Sequence, residues 1–468
     1  MQMFALSVLL LQYPDRHVFL PATPPYIDTL APIRWDKDSA MYTVDAARFL
    51  IAIVATLCLS AGAGAETIYL TAETLIDPVD GKRISNPVVE IEGDRIVKVT
   101  ANGSVPASAT RIDLAGKTIL PGLADMHTHL TWYASDAGYN GLSVSYTDEA
   151  IRGVVNARKT LMAGFTVARN LGASGFADVS LRDAINNDRI PGPRLQVAGP
   201  SLGITGGHCD NNLLPKEYDA VADGVADGPW EVRKKVRDNK KYGADVIKFC
   251  ATGGVMSKGT AVGARQYTLE EMKAIVDEAH TQGMTVAAHA HGTEGILFAI
   301  KAGVDSVEHS SLIDEEGLDL AIENGTFLSI NLYTTEYVLA EGEKNGVLPE
   351  SMEKAAYIHE LRRANFSRAV KAGAKMVYST DSAVYPHGDN AVQFSRMVDL
   401  GMAPMQAIQA ATVVAAELLR WEGDTGAIAP GYYADIIAVE GDPLDDISVL
   451  EKVEFVMKGG VVYKNEPN

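Results

Sequence analysis

Two histidines, His127 and His129, stand two residues apart at the end of the apolar segment LADMHTHL. In an extended strand, residues i and i+2 point to the same face, so both imidazoles can reach one point in space. Neutral imidazole nitrogens are common ligands of divalent metal ions. An isolated H-x-H is more often a pair of surface or core histidines, so other residues must decide between these two interpretations.

Four further polar residues lie near the ends of later apolar segments: Lys248 in DVIKFC, His289 in TVAAHAHG, His309 in DSVEHS and Asp381 in KMVYSTDS. An unpaired ammonium is costly to bury, so Lys248 needs either a buried salt bridge or a role in a site. Each histidine alone could be a satisfied core residue. Because all six residues recur at corresponding positions, we interpret them as one metal centre. The candidate ligands are His127, His129, Lys248, His289, His309 and Asp381.

These residues belong to a series of eight short apolar segments, each followed by a helix-like stretch. The segments are GLADMHTHL, FTVARNLG, RLQVAGP, DVIKFCATGG, TVAAHAHG, DSVEHS, TFLSINLY and KMVYSTDS. Eight β-then-α units predict an α/β fold, a (β/α)8 TIM barrel, in which residues at the C-terminal ends of the strands form the active site. A doubly wound open sheet is the alternative, but no G-x-G-x-x-G follows the first strand.

Both flanks of this series alternate polar and apolar residues and contain Asp-Gly and Gly-Asp turns, as in PVVEIEGDRIVKVT and KVEFVMKGGVVYK. We therefore expect a small composite β-sandwich domain formed by both chain ends. Residues 66–119 and 421–468 are its predicted parts, and residues 120–420 are the predicted barrel.

The composition is that of a soluble globular protein, and the formal net charge of −19 argues against nucleic acid or an anionic membrane surface as a partner. Residues 41–65 have the layout of a signal peptide that starts at Met41: Arg48, the apolar run FLIAIVATLCL and a small-residue cleavage site before Glu66. An N-terminal membrane anchor is the alternative. Residues 1–40 are expected to be untranslated or disordered.

Signal cleavage would leave an exported protein, periplasmic or secreted, with no membrane contact. It would keep two cysteines, Cys209 and Cys250. We expect these to be packed thiols rather than a bridge.

The constellation resembles the amidohydrolase superfamily in its binuclear-metal branch. The motifs PGLADMHTHL, IKFCATGGVMS, VAAHAHG, SVEHS and GAIAPGYYADIIAV carry the resemblance. TGGH, GGVMS and YPHGDNA are similar to the imidazolonepropionase-related and Xaa-Pro dipeptidase-like group, which includes ochratoxin-hydrolysing amidases. The resemblance implies a TIM barrel flanked by a β-sandwich.

The resemblance also implies roles for the candidate ligands. His127, His129 and Asp381 would hold a buried ion, and His289 and His309 a more exposed one. Lys248, carboxylated by carbon dioxide, would bridge two divalent ions, for which zinc is the expected metal. A bridging hydroxide would attack the carbonyl, and Asp381 would transfer the proton to the leaving nitrogen.

Substrate contacts are less sharply indicated. His291 lies two residues beyond His289 and should face the same cavity, where it would bond the scissile carbonyl or a carboxylate; a histidine that only supports the site is the alternative. His208 is expected to line the pocket. Arg169 could pair with a carboxylate, although a structural ion pair is the competing interpretation. Tyr267 and Tyr333 could pack on the substrate, or lie in the core.

The sequence thus predicts a metal-dependent amidohydrolase that cleaves a peptide-like amide next to a free carboxylate, in a dipeptide or N-acyl amino acid. Alternatives are a cyclic amide, an ochratoxin-like xenobiotic amide, an organophosphate ester, or an inactive metal-binding barrel. Lys248 and Asp381 argue against the inactive barrel, because a scaffold needs neither. A homo-oligomer is expected.

Overall fold

The computed structural model describes residues 67–466. The predicted upstream segment, residues 1–40, and the predicted signal peptide, residues 41–65, lie outside the described residues. Among residues 67–466, no helix is both long enough and apolar enough to cross a membrane.

The structure has fifteen strands in this range. They are β1 (Thr67–Asp77), β2 (Lys82–Ser85), β3 (Pro87–Glu92), β4 (Arg95–Ala101), β5 (Thr110–Pro121), β6 (Leu123–Thr128), β7 (Phe165–Asn170), β8 (Arg194–Val197), β9 (Val246–Cys250), β10 (Thr285–Ala290), β11 (Ser306–His309), β12 (Phe327–Ser329), β13 (Ile436–Glu440), β14 (Phe455–Lys458) and β15 (Val461–Asn465).

Eleven α-helices occur in the same range. They are α1 (Tyr146–Met162), α2 (Ala177–Asn186), α3 (Pro229–Lys241), α4 (Leu269–Thr281), α5 (Thr293–Ala302), α6 (Glu315–Asn324), α7 (Tyr333–Glu341), α8 (Pro349–Ala372), α9 (Val392–Asp399), α10 (Pro404–Ala410) and α11 (Val413–Leu419).

Strands from both ends of the described chain form one eight-stranded sheet in the order β15-β14-β13-β5-β1-β3-β4, with β2 paired to β1. β13 lies antiparallel to β5, so the C-terminal segment continues the sheet that the N-terminal segment begins. Leu70, Val89, Ile119, Ile436 and Phe455 are buried in one core beneath it. Both chain ends thus build a small β domain, as the alternating pattern predicts. β5 leads almost directly into β6, the first strand of the barrel.

The barrel consists of parallel strands that alternate with helices. β6, β7 and β8 pair in parallel, and so do β9, β10, β11 and β12. Leu202, just after β8, bridges in parallel to Phe249 of β9 and joins the two sheets. Almost every residue of these seven strands is buried, which explains their continuous apolar character in the sequence.

The eighth predicted strand, KMVYSTDS, is an extended segment with isolated bridges rather than a continuous strand. Met376 bridges to Leu328 of β12, and Ser382 bridges to Thr128 of β6, so the segment closes the ring. The φ of Asp381 is 58°, a left-handed conformation that interrupts regular strand geometry where the segment meets the cavity. The predicted TIM barrel is therefore confirmed, and its last strand is irregular where the functional carboxylate lies.

The helix-like stretch TLEEMKAIVDEAHTQG, between β9 and β10, forms α4, and the limits of this helix follow from local chemistry. Thr268 accepts a hydrogen bond from the backbone N–H of Glu271, whose side chain accepts one from the backbone of Thr268. This capping box satisfies two amide groups that the first turn leaves free. Gly283, at φ 75°, then turns the chain into β10.

The two cysteines of the barrel form a disulfide bond, so the expectation of packed thiols is wrong. Cys250 ends β9, and Cys209 lies in the loop after β8, with 6.0 Å between their Cα atoms. The loop folds back over the end of β9, because residues flanking it bond to that strand: Leu202 donates to the carbonyl of Lys248 and accepts from Cys250. The two cysteines are 41 residues apart, and the loop between them has no periodic pattern, so the sequence did not indicate that they meet.

Candidate active site

Two clusters of potential metal ligands lie at one end of the barrel. The first is His127, His129 and Asp381, and the second is His289, His291 and His309. Within each cluster the candidate ligand atoms lie within 4.8 Å of one another. Both clusters and Lys248 line a single cavity of about 690 Å³. The structure therefore brings together all six predicted metal ligands, and adds His291 to the second cluster.

The first cluster is assembled by the closure of the barrel. The backbone N–H of Asp381 donates to the carbonyl of His127 at 2.7 Å. This contact places Oδ1 of Asp381 3.3 Å from Nε2 of His127 and 3.4 Å from Nε2 of His129. Nζ of Lys248 lies 3.3 Å from the same nitrogen of His127. The i, i+2 spacing of His127 and His129 thus converges on one carboxylate.

The second cluster is built from the ends of β10 and β11. The rings of His289 and His309 are 4.4 Å apart between centroids, and those of His291 and His309 are 4.7 Å apart. Nδ1 of His291 lies 2.8 Å from the hydroxyl of Ser311, and Nδ1 of His309 lies 3.1 Å from Oδ1 of Asn331. Nε2 of His289 is buried and has no hydrogen-bond partner among residues 67–466. An imidazole nitrogen left free in this way is suited to bind a metal ion.

Burial keeps these groups in the protonation states that metal binding requires. Desolvation, followed by the nearby Lys248 charge, lowers the pKa of His127 to about 4. Desolvation also lowers the pKa values of His289, His291 and His309 well below the usual histidine value. Neutral imidazoles can coordinate, whereas imidazolium cannot. The donor set of nitrogens and carboxylate oxygen therefore fits divalent metal ions.

Lys248 is fully buried in β9, and desolvation lowers the pKa of its amine to about 8. Its ammonium has no carboxylate within ion-pair distance among the described residues, so the buried salt bridge considered for it is not formed. A lysine near neutrality in a cavity of ligands is chemically able to react as an amine.

A buried carboxylate beneath the site, Glu308, holds His127 in place. Its Oε2 lies 2.9 Å from Nδ1 of His127, which leaves Nε2 of that histidine directed toward Asp381 and Lys248. Glu308 also accepts hydrogen bonds from Arg169, Ser306 and Ser329. Burial alone would raise the pKa of Glu308, but the charge of Arg169 and the contact with His127 hold it far below its usual range. Glu308 was not among the predicted site residues, although an acidic residue inside the apolar segment DSVEHS was a signal for it.

The structure corrects the expectation for Arg169. Its side chain is fully buried under the site, where Nη2 donates to Glu308 at 2.8 Å, Nε to the carbonyl of Met126 at 2.7 Å and Nη1 to Ser306 at 3.1 Å. Every nitrogen of the guanidinium is therefore occupied within the protein. Arg169 is a structural ion-pair partner and is not available to a substrate.

The predicted substrate residues divide into two groups. His208 and His291 line the cavity, and the ring of His208 lies 4.2 Å from that of His289. Tyr267 does not: it is fully buried, and its hydroxyl donates to the carbonyl of Ala226 at 3.1 Å. Tyr333 stacks edge-on against Tyr385 and lies outside the cavity lining. For both tyrosines the expectation of a substrate contact is corrected to a packing role.

The chain matches a model of the amidohydrolase family over residues 118–463. It is 34% identical over 417 residues to ochratoxinase from Aspergillus niger, an alignment that covers 83% of this chain and 85% of the relative. Among solved structures, a Xaa-Pro dipeptidase with methionine bound in its active site is 39% identical, with a TM-score of 0.81, over 86% of this chain and all of the other. A prolidase in complex with N-methylphosphonate-L-proline is 32% identical, with a TM-score of 0.78 and the same coverage.

We expect Glu308→Gln to lower both stability and divalent-metal affinity. The amide keeps the shape of the side chain but leaves Arg169 buried without a counter-charge, which typically costs about 3–5 kcal/mol. Loss of the carboxylate that orients a ligand histidine typically lowers metal affinity by about 10–100-fold. Urea unfolding and competition with a metal indicator measure the two effects.

Glu316→Gln is the matched control, because it breaks an ion pair at the surface: the side chain of Glu316 is 64% exposed and that of Lys301, its partner, is 41% exposed. This variant should lose less than about 1 kcal/mol and keep its metal affinity. Equal behaviour of the two variants would contradict the role of Glu308.

Proposed function

The chain belongs to the amidohydrolase family, and we propose that it hydrolyses a peptide-like amide next to a free carboxylate, in a dipeptide or an N-acyl amino acid. The observation that carries this proposal is that two clusters of candidate ligands line one cavity together with Lys248. Similarity to a Xaa-Pro dipeptidase and to a prolidase that binds a proline derivative favours substrates of this class. The chain is thus a hydrolase that acts on C–N bonds, and the peptide-like substrate is the proposal.

The ligand clusters are suited to two divalent ions, with zinc as the expected metal. His127, His129 and Asp381 would hold one ion, and His289 and His309 the other. Lys248, which lies against the first cluster, would bridge them as a carbamate formed with carbon dioxide, because a carbamate is an anionic ligand with two oxygens. Bound divalent ions polarise a substrate carbonyl and lower the pKa of water, so that a nucleophile is available at neutral pH.

Different side chains around the ions would transfer the proton and bind the substrate. Asp381 would accept a proton from the attacking water and deliver it to the leaving nitrogen. His291 is neutral through burial, and Ser311 occupies its Nδ1. With the hydroxyl of Ser311 donating to Nδ1, Nε2 of His291 would carry the ring proton and donate a hydrogen bond to the oxygen of the scissile carbonyl, where negative charge develops. His208 lines the neighbouring wall of the cavity.

An ochratoxin-like amide is the second candidate substrate. It is favoured by the similarity to Aspergillus niger ochratoxinase across most of both chains, and by a cavity of about 690 Å³, which accommodates a drug-sized ligand.

We also propose that the protein is exported. The signal-like layout of residues 41–65 supports this. A disulfide between Cys209 and Cys250 supports it independently, because disulfides persist in oxidising compartments. The homo-oligomeric state remains a prediction from the sequence.

The substrate class is tested by a screen of dipeptides and N-acyl amino acids with metal-reconstituted enzyme. We expect turnover of members with a free carboxylate, and loss of all activity after chelation. Turnover of cyclic amides or phosphate triesters alone would contradict the proposal.

Lys248→Ala tests the bridging role of the lysine, and Asp381→Asn tests the proton-transfer role of the aspartate. The first variant should bind fewer than the two ions expected per wild-type chain, and acetate or formate should partly restore its rate by supplying a two-oxygen bridge. The second should keep more metal but lose about 10²–10⁴-fold in kcat, the usual contribution of a general acid–base group. Metal analysis and steady-state kinetics measure both. A wild-type enzyme with full activity and one ion, or Asp381→Asn with more than a tenth of normal kcat, would refute these roles.

Export predicts a mature N-terminus at or near Glu66, outside the cytoplasm. Intact mass of the protein purified from the periplasm or medium measures the cleavage site, and the same sample without reductant should contain a peptide that links Cys209 to Cys250. Recovery of the uncleaved chain in the cytoplasm with both thiols free would be the contrary result.

A further inference from the structure

Arg362 is a buried cation with an unused donor at the edge of the cavity. It lies on α8, is 2% exposed, and lines the cavity together with the ligand histidines. Its Nη1 donates to Oδ1 of Asn331 at 2.8 Å, whereas Nη2 has no hydrogen-bond partner among residues 67–466. Asp381 and Glu336 act on it electrostatically, but neither forms an ion pair with it. Arg362 is therefore a buried charge at the wall of the cavity, with one donor unpaired within the described residues.

The other fully buried arginine of the site is a useful comparison. Arg169 uses all three of its nitrogens and pairs with the carboxylate of Glu308. Within the described part of the chain, Arg362 has one hydrogen bond, to the neutral amide of Asn331, and no carboxylate partner. An unpaired buried charge costs several kcal/mol, so it is retained most readily where an anion enters the site. The asymmetry between the two arginines points to an anionic ligand at Arg362.

The position of Arg362 is fixed relative to the second ligand cluster. Oδ1 of Asn331 accepts from Arg362 and also contacts Nδ1 of His309 at 3.1 Å. One amide oxygen thus ties the guanidinium to a candidate metal ligand. A ligand group bound to Nη2 would therefore lie beside the second ligand cluster.

An apolar wall of the cavity packs against the same helix through Ala355. Ala355 precedes Arg362 by seven residues, nearly two helical turns, and both face the interior. Ala355 packs in a cluster with side chains that line the cavity. We call these the apolar wall: Ala137, Val255, Met256, Val338, Val347 and Val384. Arg362 and the apolar wall thus line the same cavity, so that one ligand would present its carboxylate to the guanidinium and its apolar side chain to the wall.

We propose that Arg362 binds the free carboxylate of the substrate and that the apolar wall receives the side chain of the same residue. The substrates would then be amides whose leaving group is an apolar α-amino acid. The planar guanidinium suits a carboxylate because its parallel N–H groups match the two oxygens. This inference rests on the proposed function, and it adds the residue that recognises the carboxylate and the chemistry of the leaving group.

Two substrates that differ only in charge test the role of Arg362: N-acetyl-L-leucine and N-acetyl-L-leucinamide. Wild-type enzyme should prefer the acid in kcat/KM by at least about 30-fold, the lower range for a desolvated charge pair. Arg362→Gln should bring this ratio close to one, mainly through KM for the acid. Metal content and folded fraction affect both substrates equally, so a merely structural role would leave the ratio unchanged.

Arg363→Gln is the matched control, since this neighbour on α8 pairs with Glu336 outside the cavity lining. It should keep the wild-type ratio.

The apolar wall is tested with N-acetylglycine. Its kcat/KM should be at least about 10-fold lower than that of N-acetyl-L-leucine, because leucine buries a large apolar side chain.

A binding measurement keeps the inference independent of turnover. The anion 4-methylpentanoate carries a carboxylate and an apolar chain but no scissile bond. It should raise the Tm of wild type and of Arg363→Gln, and leave the Tm of Arg362→Gln unchanged.

If wild type cleaves the acid and the neutral amide equally well, or if Arg362→Gln keeps the wild-type ratio or the Tm shift, this inference is overturned while amide hydrolysis stands. If wild type cleaves neither compound and no member of the substrate screen, the proposed function fails, and the Tm measurement still decides whether Arg362 binds the carboxylate.

Discussion

The buried contact between Glu308 and Arg169 is the constraint on which the site depends. Glu308 belongs to β11 and Arg169 to β7, and both are fully buried. Through them the ends of β6, β11 and β12 are tied together, since Arg169 donates to Met126 and Glu308 accepts from Ser329. Such a pair adds little net stability compared with apolar packing, but it penalises any arrangement that separates the charges. It therefore fixes how these strands meet beneath the ligands.

The same carboxylate decides what His127 can do. With Nδ1 held by Glu308, the free nitrogen of the ring faces Asp381 and Lys248. Burial then keeps the surrounding histidines neutral and brings the amine of Lys248 toward neutrality. The low polarity of the barrel interior thus favours the neutral forms of these side chains, which are the forms that bind metal ions. Residues with left-handed backbone lie beside them at the strand ends.

The side walls of the cavity come from loops and helices, whereas the candidate metal ligands at its base come from the ends of strands. The candidate metal ligands lie at the ends of barrel strands, whereas His208 lies in the loop after β8, which the disulfide between Cys209 and Cys250 fixes to β9. Helix α8 supplies Arg362, helix α7 supplies Val338 of the apolar wall, and loops supply the other residues of that wall. A rigid strand end with a variable loop and helix rim is the arrangement in which TIM barrels separate chemistry from substrate choice.

The sequence by itself determined the strands and helices of the barrel and the chemistry of the candidate metal ligands. Seven apolar segments became strands because burial on both faces demands continuous apolar residues, and local capping fixed the limits of α4. The spacing of His127 and His129 placed both on one side of a strand end, and the recurrence of polar residues at later strand ends marked the rest of the ligands.

Only the tertiary structure decided which buried charges pair and which remain open. Glu308 is 139 residues from Arg169 along the chain, and Arg362 is 31 residues from Asn331. Neither separation leaves a periodic signal, so Arg169 was expected at the substrate and Arg362 was not singled out. Tyr267 and the two cysteines were misplaced for the same reason. Periodicity reports which face of an element a residue occupies, whereas the partner that it meets is set by how distant elements pack.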